Sequence, residues 1–225
     1  MQQEEKNVDG IIDFETLGLC PHGMIVDMAF IPFVDNPNEK PNFKNLIAGG
    51  KRYKFEISSQ RGIRPSDAGT VKWWTQQSHE ARMNLKPSHE DIHFIQATER
   101  ILKDMEAAGI NRTMSLLYCR GMSYDFPILT DLIRQAYNKD DVMHLEPVMF
   151  YRQRDMRTAI ENITMTRFQE YVPLPNGSLD GFVMHNSIHD CAKDIMMLQY
   201  AKRYALGLEK VPEPGNVDPL SLPKR

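Results

Sequence analysis

The run Gly10-Ile-Ile-Asp-Phe-Glu-Thr-Leu-Gly constrains this chain more than any other. Val8 to Phe14 reads as a short buried strand, yet Asp13 and Glu15 interrupt its apolar character. Strand side chains alternate faces, so residues two apart point the same way. Two carboxylates side by side on a buried strand repel each other, and each is costly to take out of water. Two readings follow. The strand end opens into a loop that leaves both acids solvated, or a divalent cation holds them. Mg²⁺ takes carboxylates, waters and phosphate oxygens at about 2.1 Å.

With 225 residues, the chain suits one domain with a sizeable core, and 41% hydrophobic residues supply the material. The expected division is a single domain over 1–210 and a Pro-rich tail over 211–225. A formal net charge of −3 gives no global basic field, which argues against a protein that coats long nucleic acid. It leaves room for an enzyme that grips a strand end. Cys20, Cys119 and Cys191 are scattered without C-x-x-C spacing, so neither a disulfide framework nor a zinc site is indicated. Met1 to Asn7 is polar, without the apolar stretch of a signal peptide, and no run reaches the roughly 18 apolar residues of a membrane span. The expectation is a reduced cytoplasm and no membrane contact.

Further along, Met24 to Val34 and Lys51 to Ser58 read as two more strands, joined to the first by polar connections as an antiparallel meander. Then the periodicity changes. Ser88 with Asp91 has the spacing of a capping box, opening a helix with Ile92, Ile95, Leu102 and Met105 on one face. Ser115 to Cys119 is a fourth strand, and Phe126, Leu129, Leu132, Ile133 and Ala136 form a helical stripe. Val148 to Tyr151 is the candidate fifth strand, with Asp155 capping the helix from Met156. A last long helix spans about 187–205, and a tail with four prolines runs extended over the surface. The sum is an α/β domain, a mixed five-stranded sheet flanked by helices, in the element order of the RNase H-like fold.

Two further acidic segments stand out. Asp125 falls in the first turn of a helix just past a strand, where it could cap that helix or deliver a third metal ligand. His185-Asn-Ser-Ile-His-Asp-Cys-Ala-Lys-Asp holds the same spacing twice, His185 with Asp190 and His189 with Asp194. Either imidazole titrates near neutral pH and could act as a general base; a polar helix start with ordinary caps is the plain alternative.

Together, D-x-E on the first strand, an Asp opening a central helix and H-x-x-x-x-D opening a late helix resemble the three motifs of the DEDDh class of 3′-5′ exonucleases, in order. Asp13-Phe-Glu-Thr-Leu-Gly is similar to the first motif, Gly121-Met-Ser-Tyr-Asp125 to the second and His185-Asn-Ser-Ile-His-Asp190 to the third. Trp73-Trp74, Cys119-Arg-Gly-Met-Ser, Arg154-Asp-Met-Arg-Thr-Ala, Leu179-Asp-Gly-Phe and Asp218-Pro-Leu-Ser-Leu-Pro-Lys-Arg extend the likeness, over nearly the whole chain, to the exonuclease A family of tailed bacteriophages.

The resemblance implies removal of nucleoside 5′-monophosphates from the 3′ end of single-stranded DNA, or of RNA. It implies two Mg²⁺ or Mn²⁺ ions on Asp13, Glu15, Asp125 and Asp190, with His185 as general base, and a monomer or homodimer. The class has a small residue two places after its histidine; Ser187 meets that for His185, which favours His185 with Asp190. Thr16, Leu17 and Met122 are candidate walls of the terminal-nucleotide pocket. Adjacent helical positions point in different directions, so at most one of Trp73 and Trp74 faces substrate; Trp74 is the candidate and Trp73 the alternative. Lys51-Arg-Tyr-Lys and the pair Arg61 and Arg64 could follow a phosphate backbone or simply face water. Two rival functions remain: a non-catalytic binding module, and a zinc hydrolase built on His185 and His189 at i, i+4.

Overall fold

A computed structural model describes residues 7–167 and 170–223; the polar opening residues 1–6 and the terminal pair 224–225 lie outside it. In chain order the main elements are β1 (Val8–Thr16), β2 (Ile25–Val34), α1 (Phe43–Gly49), β3 (Lys51–Lys54), α2 (Ala68–Thr75), α3 (His79–Met83), α4 (Phe94–Ala107), β4 (Leu117–Cys119), α5 (Asp125–Tyr137), β5 (Gln153–Asp155), α6 (Met156–Thr164) and α7 (Ser187–Ala205). The sheet order is β3-β2-β1-β4-β5. The β1–β2 and β2–β3 pairs are antiparallel, whereas β1–β4 and β4–β5 are parallel. This is the mixed, helix-flanked sheet of the RNase H-like fold. No helix among the described residues is long and apolar enough to cross a membrane.

Alternation along β1 sorts its side chains between two cores. Ile12 and Phe14 join Met28, Phe30 and Leu117 under α4 and α5. Ile11 joins Ala29, Ile31 and Tyr118 under α6 and α7. Each such buried side chain contributes about 1.5–3 kcal/mol. Asp13 and Glu15 continue the face that Ile11 begins, toward the start of α7, opposite Ala29 and Asp27 on β2. A register shift between Glu15 and Thr16 ends the regular pairing there.

Four expectations change. The fifth strand is Gln153–Asp155, pairing with Leu117, Tyr118 and Cys119; Phe150 and Tyr151, read as its apolar body, are 62% and 49% exposed. The third strand, β3, stops at Lys54 instead of reaching Ser58. Ser88 and Asp91 do bond to each other, but within a turn; the cap of α4 is His93, whose Nδ1 accepts from the Ile95 amide. Finally, the Pro-rich tail folds back onto the body. Val217 bridges Pro175, the Asp218 carboxylate accepts from the Leu179 amide, and the Ser221 hydroxyl accepts from the Leu174 amide. Asp155 caps α6, as its position suggested, accepting from the Thr158 amide.

Candidate active site

At the C-terminal end of β1 the two acids meet the first turns of two helices. Asp125 begins α5, directly after the turn that follows β4, and its Oδ1 accepts a 3.1 Å bond from the Phe14 amide, tying α5 to β1. That turn needs Gly121, whose φ of 130° suits no other residue. Asp190 lies in the first turn of α7. Its Oδ2 accepts a 2.9 Å bond from the amide of His185, which sits at a left-handed φ of 60° unusual for a side-chain-bearing residue. Asn84 bonds the His185 carbonyl at 3.2 Å, and Trp73 packs edge-on to the imidazole with ring centroids 4.7 Å apart. The His185 backbone is therefore held by Asp190 and Asn84, and its ring by Trp73.

The result is one cavity of about 560 Å³, lined by Asp13, Glu15, Asp125, Asp190 and His185 together. His185 Nδ1 stands 3.8 Å from Glu15 Oε1. His189 is not among the lining residues. Its Nδ1 accepts from the Val183 amide at 3.0 Å, and its ring packs edge-on against Phe43, so it serves the α7–α1 contact.

Burial and mutual repulsion set the acids' protonation. Desolvation, then the charge of Glu15, pushes Asp13 well above the ordinary carboxylate range. Glu15 rises well above it too, by desolvation and then by the cross-strand charge of Asp27. Asp125 is raised to about 7 by burial, against the Phe14 hydrogen bond that lowers it. Asp190 is also raised to about 7, by burial and by the neighbouring Asp194. Such a cluster is short of positive charge. Glu15, His185 and Asp190 bring one ligand atom each within 4.8 Å of one another, a group of described residues able to hold a metal ion. Oxygen donors with so large an unmet negative charge fit a hard divalent cation.

Several neighbours complete the site. Asp194 lines the cavity one turn beyond Asp190 and is paired with Arg120 at 2.8 Å. Behind Glu15, fully buried Asp27 is bound by Arg52 and by the Ser187 hydroxyl, so the small residue after the histidine anchors α7 to β2. Tyr124 lines the acid cavity and also a second one, of about 450 Å³, with Thr16, Asp67, Thr70 and Trp73. Asp27, Asp67 and Thr70 gave no signal in the sequence, whereas Asp194, Ser187, Thr16 and Trp73 stood out there already, Asp194 as the acid spaced from His189.

The substrate candidates divide. Thr16 lines the second cavity, whereas Leu17 and Met122 line neither. Trp74 needs correction: at 1% exposure it is core, with its Nε1 donating to the Thr16 carbonyl at 2.8 Å. Trp73, 40% exposed, takes the cavity wall. Arg64 is 1% exposed and Arg52 is bound to Asp27, so neither follows a phosphate backbone.

Comparison with known proteins places this geometry. The family described as the 3′-5′ exoribonuclease Rv2179c-like domain matches residues 9–201. An exodeoxyribonuclease of Enterobacteria phage T4 is 46% identical over 224 residues, covering 96% of this chain and 99% of the relative. The zinc-bound complex of Escherichia coli exonuclease I with single-stranded DNA shares the fold, with a TM-score of 0.55 and 10% identity over 91% of this chain. This chain spans 43% of that protein's length. A 3′-exonuclease that recognises the 3′ end of histone mRNA stem-loops also shares the fold, with a TM-score of 0.53 and 13% identity over 98% of this chain and 73% of that one.

Proposed function

The chain belongs to the family of the 3′-5′ exoribonuclease Rv2179c-like domain and is a 3′-5′ exonuclease, and from that premise we propose that it trims the 3′ end of single-stranded DNA with divalent metal ions. The observation that carries this reading is the convergence of four buried carboxylates and one clamped imidazole on a single cavity. Asp13, Glu15, Asp125 and Asp190 would hold two Mg²⁺ or Mn²⁺ ions. Such ions, when bound, make a water acidic near pH 7 and neutralise charge on the phosphodiester.

The chain's own residues do the rest. His185, its backbone fixed by Asp190 and Asn84 and its ring by Trp73, takes the proton of the attacking water at a ring nitrogen. Asp125 keeps the first turn of α5 registered on β1 through the Phe14 amide, so carboxylates from two elements keep their spacing. The product is a nucleoside 5′-monophosphate. Trp73 offers a face or edge for an unpaired base, an interaction worth about 1–3 kcal/mol.

DNA is preferred over RNA because the 46%-identical relative is an exodeoxyribonuclease. The family's description favours RNA, which stands as the second reading. One assay separates them: 5′-labelled single-stranded DNA and matched RNA, each with Mg²⁺, with Mn²⁺ and with chelator. The expected result is a metal-dependent ladder shortening from the 3′ end, faster on DNA. Faster shortening of RNA would replace the substrate; intact DNA and RNA with metal present would overturn the reading.

A further inference from the structure

One polar side chain at the border of the two cavities has no part in the chemistry above. Tyr124 lines both cavities, so it stands between the acids and the pocket walled by Trp73, Asp67 and Thr70. Its hydroxyl lies 2.7 Å from Thr16 Oγ1. Thr16 has a single hydroxyl proton, and that proton goes to the Gly18 carbonyl at 2.9 Å. The 2.7 Å contact therefore runs the other way, with the phenol donating and Thr16 accepting. Tyr124 oxygen is left with acceptor capacity and no proton to offer. A ligand group that meets it has to be a donor.

The surroundings repeat that demand. Asp67 lines the second cavity, and as a carboxylate it too accepts. A cavity of about 450 Å³ is within the usual range of small-molecule sites, roughly 300–1,000 Å³. A nucleic-acid strand end brings one neutral donor that every terminal nucleotide carries whatever its base, the 3′-hydroxyl of its terminal sugar. A terminal 3′-phosphate brings only acceptors and negative charge.

We propose that Tyr124 is a specificity-determining residue that accepts a hydrogen bond from the terminal 3′-hydroxyl, with Thr16 holding the phenol in its acceptor-only state. The inference rests on the exonuclease reading and adds to it a check on the chemistry of the strand end. The Tyr124–Thr16 pair makes the enzyme favour unblocked ends and reject 3′-phosphorylated ones.

The test compares wild type, Tyr124→Phe and Thr16→Val on one 5′-labelled DNA ending in 3′-hydroxyl, in 3′-hydrogen or in 3′-phosphate. The quantity read is kcat/KM for removal of the first nucleotide with Mg²⁺. Wild type should favour the hydroxyl over the hydrogen end by about tenfold, the size of one neutral hydrogen bond. Tyr124→Phe should bring that ratio close to one, by slowing the hydroxyl end alone. Thr16→Val frees the phenol proton and should raise the relative rate on the 3′-phosphate end. A wild-type ratio kept in Tyr124→Phe, or both ends slowed by one factor, would overturn the proposal and leave the exonuclease standing. Failure of wild type to shorten any of the three DNAs or a matched RNA, with Mg²⁺ or Mn²⁺, would instead overturn the nuclease reading beneath it.

Discussion

Two clusters in this molecule bury charge, and they do it in opposite ways. Beneath α5, Arg64 donates to the Asp131 carboxylate at 2.6 Å, to the Gln135 amide oxygen at 3.0 Å and to the carbonyls of Gly23 and Pro21 at 2.9 and 2.7 Å. Burial lowers the Arg64 pKa, and Asp131 pulls it back up. Every charge there meets its counterpart, and the pair fastens the loop after β1 to α5. At the end of β1, Asp13, Glu15, Asp125 and Asp190 crowd one cavity, Asp13 has no such partner among the described residues, and all four pKa values rise. A paired buried charge holds the fold. An unpaired cluster works against it, the pattern of a site built to bind a cation.

The largest expected effect breaks the second cluster. Asp13→Asn should lower metal-dependent nuclease turnover by about a thousandfold or more, while the metal-free protein melts at a higher temperature than wild type, because one repelling carboxylate is gone. Asp131→Asn should do the reverse. It leaves Arg64 buried and uncompensated, at about 3–5 kcal/mol of folding stability, while the remaining folded protein keeps its turnover. Thermal or urea unfolding alongside the nuclease assay checks both. If Asp13→Asn destabilises the metal-free chain as Asp131→Asn does, the contrast is wrong.

A smaller effect sharpens the contrast at its edge, where one helix start carries two histidines. His185→Ala should slow turnover about a hundredfold, in the range for a lost general base. His189→Ala should stay within a fewfold of wild type and instead lower the melting temperature, since its ring packs on Phe43. Equal loss of turnover in both variants would remove His185 from its special place.

How much of this was legible in the sequence depends on how each residue signals itself. Asp13 and Glu15 were visible because carboxylates in an apolar strand contradict their surroundings. The parallel partner β4 was visible as a short apolar run, although only Leu117–Cys119 of it pairs. β5 was hidden because it is three polar residues at the sheet edge, partly exposed, while the apolar residues before it sit on the surface. Trp73 and Trp74 could be divided into one buried and one exposed by helical geometry, but which was which depended on the Thr16 carbonyl, 58 positions away. Arg64 and Asp131 gave no signal. Their partnership joins residues 67 apart, and a surface arginine reads the same.

The smallest prediction follows from the sign of the shifted acids. In the unfolded chain Asp125 and Asp190 release their protons near the ordinary value of 3.8, whereas in the fold they hold them to about 7. Below about pH 4 both states are protonated and the fold has its full stability. Between about pH 4 and 7 the unfolded chain has lost protons that the folded chain keeps, so stability falls as pH rises through that window. The melting temperature of metal-free protein should therefore drop by several degrees from pH 5 to pH 8, a direction opposite to that of a salt-bridged carboxylate. Mg²⁺ at millimolar concentration should restore those degrees at pH 8 and do little at pH 5, because it binds only the ionised cluster and only in the folded chain. In Asp13→Asn the drop should shrink along with the Mg²⁺ effect. A metal-free melting temperature that rises from pH 5 to pH 8 would mean that the acids are paired within the chain after all, and the two buried clusters would then be alike.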